Sequence, residues 1–205
     1  MADSYRVCSA HEKLDIEKPI KCVVVGDKTV GKTCLLLQMS YIANTITRSQ
    51  EESFSCTYSV KLDVNGKVCQ LQLSEAEFSE SKDENRSVVY EDTDVICLCF
   101  SVADRESFQN VKEKWNKEVR HFSPHSPLIL VGTKVDLRDE DLGASKKKEL
   151  DTVSFKEGKK LAKRIAAQKY VECSALKQRG YSEVFNEAVK AVVNSKKEST
   201  KCVLL

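Results

Sequence analysis

Lys21 to Leu37 reads KCVVVGDKTVGKTCLLL, and no other stretch limits the fold of this chain as much. An apolar, largely β-branched run, Cys22 to Val25, enters Gly26-Asp27-Lys28-Thr29-Val30-Gly31-Lys32-Thr33, and the helix-forming residues Cys34 to Gln38 follow. This is the G-x-x-x-x-G-K-[ST] phosphate loop in the setting it requires, a strand before and a helix after. Gly26 and Gly31 permit backbone angles that a Cβ opposes, so successive N–H groups can turn inward on a phosphate oxygen. The helix adds its N-terminal partial positive charge at the same point. Lys32 is expected to reach the β- and γ-phosphates as a point charge, and the Thr33 hydroxyl to ligate Mg²⁺. A magnesium nucleotide is the ligand this pattern implies. The alternative, a glycine turn joining strand to helix, does not call for the complete pattern.

A chain of 205 residues, 41% of them hydrophobic, suffices for one sizeable core and is short for two, so one domain with tails is expected. A net charge of +2 gives no reason to expect a nucleic-acid partner. The nine cysteines could suggest disulfides, but the polar opening MADSYRVCSAHEKLDIEK is unlike a secretory signal, so reduced, cytosolic thiols are expected. Cys97 and Cys99 alternate with apolar residues on one face of a predicted strand, which fits buried side chains better than metal ligands. No run of about 18 apolar residues is present to span a membrane.

Residues 1–19 are polar, lack periodicity and end at Pro19, and are expected to form a flexible extension to a domain over 20–194. Strand one is Ile20 to Val25, with a helix from Lys32 to Ile42. Ala43 to Cys56, polar and without periodicity, reads as a long loop beside the nucleotide. Thr57–Val64 and Lys67–Ser74 flank Asn65-Gly66, the dipeptide suited to a type I′ hairpin. Val95 to Phe100 has the continuous apolar character of a central parallel strand. Asp104 can cap a helix through Arg120, in which Phe108, Val111, Trp115 and Val119 recur at helical spacing. Leu128 to Val131 is a further strand, Ser154 to Glu157 a capping box, Tyr170 to Cys173 the last strand, and Val184 to Val193 a final apolar helix stripe. Alternating strands and helices predict an α/β domain: a mostly parallel sheet of about six strands, one of them antiparallel, with helices on both faces. The ligand is expected at the carboxyl ends of the strands.

With the phosphate loop, Thr133-Lys134-Val135-Asp136 and Glu172-Cys173-Ser174-Ala175-Leu176 together, the chain resembles a small GTPase of the Rho family, and its Rac branch in particular. The likeness runs from Ile20 to the C-terminus. It implies the P-loop NTPase fold of small GTPases and the ligands GTP or GDP with Mg²⁺. In that family the carboxylate matching Asp136 accepts from two N–H donors of guanine, Lys134 packs over the ring, and the backbone of Ser174 and Ala175 reaches the base oxygen. Thr133 and Leu176 complete the two motifs. Such a carboxylate rejects adenine because its oxygens would stay unpaired. Residues 139–150, charged and lysine-rich, occupy the position of the extra helix that distinguishes Rho proteins from Ras.

The chain ends Cys202-Val203-Leu204-Leu205, a C-a-a-X signal whose final Leu favours geranylgeranyl transfer to Cys202. One lipid holds a protein weakly, so Lys196, Lys197 and Lys201, in a flexible tail over 195–205, are candidates for a second signal that Glu198 weakens. The resemblance therefore implies a monomer at the cytoplasmic face of the plasma membrane or an endomembrane, with a cytosolic pool. Its expected partners are effectors and exchange factors of Rho type.

The departures from the family fall on the residues that hydrolyse GTP. Lys28 replaces a glycine beside the attacking water, where an activating protein inserts its arginine. The Asp-x-x-Gly-Gln stretch aligns with Glu75-Ala76-Glu77-Phe78-Ser79. Glu75 keeps a carboxylate near Mg²⁺, acting through water, whereas Phe78 replaces the glycine that meets the γ-phosphate and Ser79 the glutamine that orients water. Ser53, with Ser55 as the alternative, stands where the family has a Mg²⁺-binding threonine. No catalytic residue is thus intact. Two functions remain open: a membrane-attached switch of slow or defective hydrolysis, and a constitutively GTP-bound or nucleotide-insensitive interaction module regulated by abundance and location.

Overall fold

A computed structural model describes residues 18–42, 47–51, 55–64, 66–76, 86–139 and 151–202. For 42, 47–51, 55, 56, 86 and 197–202 it describes the backbone alone. Residues 1–17 of the expected N-terminal extension over 1–19 and 140–150 of the expected insert over 139–150 lie outside the described residues, as do Ser53, Phe78 and Ser79.

Strand β1, Ile20–Gly26, is the centre of the sheet. Its alternation sends Cys22 and Val24 to one core and Val23 and Val25 to the other, all four fully buried. It pairs in parallel with β4, Lys67–Glu75, and β5, Val95–Ser101. Parallel β6, Leu128–Thr133, and β7, Lys169–Glu172, continue the sheet on the β5 side. On the other side β3, Ser55–Val64, is antiparallel to β4, through a turn in which Gly66 has φ 79° and its N–H donates to Asp63 Oδ1 at 2.8 Å. Strand β2, Thr47–Glu51, is antiparallel to β3. The order β2-β3-β4-β1-β5-β6-β7 makes β3 the member that runs against the rest, as expected.

The seventh strand corrects the expectation of a continuous loop over 43–56. Thr-Arg-Ser-Gln-Glu has no apolar face, and as an edge strand it needs none: its pairing comes from the backbone.

Helix α1, Lys32–Ile42, and the last helix cover one face; the helices between β5 and β6 and between β6 and β7 cover the other. After the short α2, Arg86–Tyr90, the predicted helix from Asp104 forms as three consecutive windings. They are α3, Arg105–Asn110, a π turn, Val111–Trp115, and α4, Asn116–Phe122. The Asp104 carboxylate caps the start by accepting from the N–H groups of Glu106 and Ser107. A single turn, α5, is Asp136–Asp139, and α6, Phe155–Arg164, opens on the expected capping box of Ser154 and Glu157. The last helix, α7, is Tyr181–Cys202, and its backbone stays helical through residues expected to form a tail.

Candidate functional site

The carboxyl ends of β1, β5, β6 and β7 lie side by side, which brings four connections of distant sequence to one edge of the sheet. The first holds Gly26, φ 147°, Thr29, φ 63°, and Gly31, φ 102°, angles that turn the loop tightly around its own interior. At Gly26 any Cβ would stand 2.3 Å from the carbonyl oxygen of Cys99, so the strand can leave the sheet here only as glycine.

Lys32 begins α1, yet its side chain folds back under the loop. Only 5% exposed, it donates to the carbonyls of Gly26 at 3.1 Å and Asp27 at 2.9 Å. Glu75, at the end of β4, places Oε1 3.5 Å from the same ammonium and accepts from Thr33 Oγ1 through Oε2 at 2.7 Å. The parallel β1–β4 register, Val24 opposite Glu75, delivers this carboxylate to the loop. A hydroxyl and a carboxylate are hard oxygen donors of the kind Mg²⁺ takes, and the proton of Thr33 points at Glu75, leaving its lone pairs for a cation.

The loop's own carboxylate is held from outside. Asp27 accepts from Asn110 Nδ2 at 2.8 Å and, on its other oxygen, from Trp115 Nε1 at 2.7 Å. Sequence periodicity places Trp115 among core residues, and it is 1% exposed, but its indole N–H needs a partner that period cannot identify. The signal available was that this is the one tryptophan of the chain, a residue that carries a polar atom into any core.

Beside the loop lies a mainly apolar cavity of about 270 Å³ lined by Gly31, Cys34, Leu35, Thr133, Lys134, Asp136, Leu137, Cys173, Ala175 and Leu176. Asp136 is 6% exposed, and the fully buried Ser174 hydroxyl donates to its Oδ1. Lys134 takes φ 56°, which turns the chain sharply between β6 and α5. The Thr133 hydroxyl lies between the carbonyls of Val30 and Phe100 and so joins this segment to the phosphate loop. Leu176 is 76% exposed at the rim. The Cys173 thiol is pushed up to about 12, by burial first and then by the neighbouring Cys97, Glu172 and Asp136, which leaves it an unreactive wall.

Arg138 brings the two base-side segments together. Its guanidinium grips both oxygens of Glu172, at 2.8 and 2.6 Å, and donates to the Val153 carbonyl at 3.1 Å. It therefore ties α5, which carries Asp136, to the end of β7, two residues before Ser174. The hydrogen-bonded Glu172 carboxylate raises the Arg138 pKa further above its ordinary value.

The expected residues Gly26 to Thr33, Glu75, Thr133, Lys134, Asp136, Ser174, Ala175 and Leu176 are thus assembled at one edge. Lys28 is exposed and shares a polar cleft of about 290 Å³ with Asp27, Asp104, Glu106, Asn110, Lys114 and Trp115. Ser55 lies in β3, described by its backbone alone, and Cys202 is the last residue of α7. A buried ammonium inside a glycine-bounded loop, beside a cavity with a buried carboxylate at its floor, has the form of a site for a phosphate ester attached to a planar base. A model of the Ras family matches residues 21–194, most of the chain, and the protein accordingly belongs to the Ras family of small GTPases, GTP-binding switches whose members take GTP or GDP with Mg²⁺.

Proposed function

We propose that this chain is a Rho-type guanine-nucleotide switch, attached to a membrane through its C-terminus and slow or defective in hydrolysing GTP. The observation that carries the reading is Asp136: a buried carboxylate, oriented by Ser174 at the floor of a cavity that opens beside the phosphate loop. In this reading Gly26 to Thr33 enclose the phosphates, with Lys32 supplying the charge. Asp136 takes the two guanine donors, Lys134 covers the ring, Thr133 braces the two segments, and Ser174, Ala175 and Leu176 close the base site. Thr33 ligates Mg²⁺ with Ser53 or Ser55, and Glu75 acts through water. Bound Mg²⁺ would neutralise charge on the phosphates, while the residues of this chain bind, orient and exclude water.

Lys28, Phe78 and Ser79 depart from the residues that arrange attack on the γ-phosphate. They favour a population that is predominantly GTP-bound. The second reading, a nucleotide-insensitive module regulated by abundance and location, draws on the same three residues and keeps the nucleotide as a structural part. Cys202 is assigned the geranylgeranyl group, with partial help from Lys196, Lys197 and Lys201. Effectors and exchange factors of Rho type are the proposed partners, met at the cytoplasmic face of a membrane.

Identification of the nucleotide extracted from protein purified from cells tests the switch reading directly. GTP in excess of GDP is expected. GDP alone would favour ordinary turnover, and an adenine nucleotide would overturn the assignment of Asp136. For attachment, Cys202→Ser should move the expressed protein from the membrane to the soluble fraction; an unchanged distribution would refute the lipid site.

A further inference from the structure

Asp27, in the phosphate loop, is held by a distant part of the molecule. Both of its oxygens are taken by side chains from the helix after β5, one by Asn110 Nδ2 at 2.8 Å and one by Trp115 Nε1 at 2.7 Å. These two donors are five residues apart. On an α-helix of 3.6 residues per turn they would point roughly 140° apart and could not meet on one carboxylate. The winding changes exactly where this conflict would arise: Val111–Trp115 is a π turn, closed by the bond from the Asn116 N–H to the Val111 carbonyl five residues before it. Widening the turn brings residues five apart close to the same side, so one local defect of the helix aims two donors at one acceptor. The Lys114 ammonium lies 4.7 Å over the Trp115 ring.

The same loop residue carries the consequence inward. The carbonyl of Asp27 accepts from Lys32 Nζ at 2.9 Å, so the backbone that the two donors fix from outside also seats the buried ammonium. Released from Asn110 and Trp115, the Asp27 carboxylate would be a mobile negative charge in a loop built to enclose an anion. We infer that Trp115 and Asn110 are positioning residues for the nucleotide, which act through Asp27 and set how long the nucleotide is retained. The inference rests on Gly26 to Thr33 being the phosphate loop.

The test is the rate at which fluorescently labelled GDP leaves the full-length protein when excess unlabelled GDP is added. Trp115→Phe keeps an aromatic side chain in the core but loses the pyrrole half of the indole together with its N–H, whereas Asn110→Asp conserves size and sets two carboxylates against each other. Each should speed release by about tenfold or more, the scale of a lost hydrogen bond to a charged group. Adding Asp27→Asn to Asn110→Asp restores a donor opposite an acceptor while the amide oxygen still accepts from Trp115, and release should return to within about threefold of the parent. Packing damage would not be repaired by that second change, and thermal unfolding at saturating GDP checks that each variant is folded. Release at the parent rate in both single variants, or a paired variant as fast as Asn110→Asp, would overturn the inference. A parent protein that retains no guanine nucleotide would instead overturn the phosphate-loop reading beneath it.

Discussion

Glu75 stands between the two residues that open α1: its Oε2 accepts from the Thr33 hydroxyl at 2.7 Å, and its Oε1 is 3.5 Å from the ammonium of Lys32. One carboxylate therefore orients the hydroxyl proposed to bind the metal and lies beside the ammonium proposed to bind phosphate. Lys32 is only 5% exposed, and these contacts compensate the desolvation of its polar end. When a phosphate enters, Lys32 can exchange the carboxylate for it, and Thr33 keeps its acceptor.

It follows that Glu75→Ala should raise the free Mg²⁺ needed to retain GDP by about tenfold, the lower end of what loss of an orienting partner costs a metal site. Glu75→Asp, one methylene shorter, should stay near the parent. Nucleotide release measured across a Mg²⁺ titration checks both. Coincident titrations for the alanine variant and the parent would mean that Glu75 does not address the metal.

Asp136 and Ser174 supply the second prediction. The carboxylate is buried, and the Ser174 hydroxyl occupies one of its oxygens from the side, which fixes the plane in which it can meet a base. Asp136→Ala should weaken GTP binding by about 3 kcal/mol or more, because two charge-assisted bonds are lost and the base donors are left unpaired. Ser174→Ala should cost less, about 1 kcal/mol, since it loosens the carboxylate without removing it. Calorimetric titration of the nucleotide-free protein with GTP and ATP provides the measurement. Equal affinity of the parent for the two nucleotides would remove the basis for guanine selection.

Of these relationships, those set by backbone chemistry were legible in the sequence. Gly26 and Gly31 can be read as a phosphate loop because few other residues adopt their angles, and Asn65-Gly66 as a hairpin for the same reason. The continuous apolar runs of β1 and β5, with helices between the strands, give the parallel sheet. Strand β2 escapes that reading because an edge strand of polar residues has no buried face to produce a period. The π turn escapes it because Val-Lys-Glu-Lys-Trp has the composition of an ordinary helix, and the Asp27 that Trp115 meets is 88 residues away. Arg138 is likewise silent in sequence, since its partner Glu172 is 34 residues away. Such contacts join parts that only the fold brings together.

The Ser154–Glu157 capping box gives a pH-dependent prediction. The Glu157 carboxylate is held down to about 2 from an ordinary 4.5, first by Arg105 and then by the hydroxyl and N–H of Ser154. A depressed folded-state pKa stabilises the protein above the unfolded value, and that stability is lost as pH falls through the interval from 4.5 to about 2. Glu157 is 39% exposed, so the effect is tempered by solvent screening. Glu157→Gln should lower stability by about 1 kcal/mol near neutral pH, the scale of a helix cap, with the difference from the parent shrinking below pH 4.5. Urea unfolding at pH 7 and at the lowest pH that leaves the protein folded measures it. A gap that persists unchanged at low pH would show that the charge of Glu157 is not what matters.

Turnover is the point at which the chain should differ most from its family. In the proposed reading, Ser79 in place of a water-orienting glutamine would remove part of the positioning on which phosphoryl transfer depends, and an activating arginine is worth about 10³ to 10⁵ in rate. Lys28 stands on the exposed side of the phosphate loop, in the cleft that also holds Asp104 and Glu106, and its side chain occupies space a glycine would leave open to that arginine. The ammonium of Lys28 does carry a positive charge of its own. It lacks the planar fork of arginine, however, and it shares its cleft with the carboxylates of Asp104 and Glu106. Phe78 adds a side chain where the family relies on a bare backbone N–H, so the loop after β4 should differ little between GDP and GTP. Single-turnover hydrolysis of bound GTP is therefore expected to be slow in the parent and to accelerate in a variant carrying Lys28→Gly, Phe78→Gly and Ser79→Gln together. The variant should also respond to a Rho-type activating protein, and the parent should not. If the parent already matches the variant in both respects, the three residues are neutral, and the protein cycles as an ordinary switch.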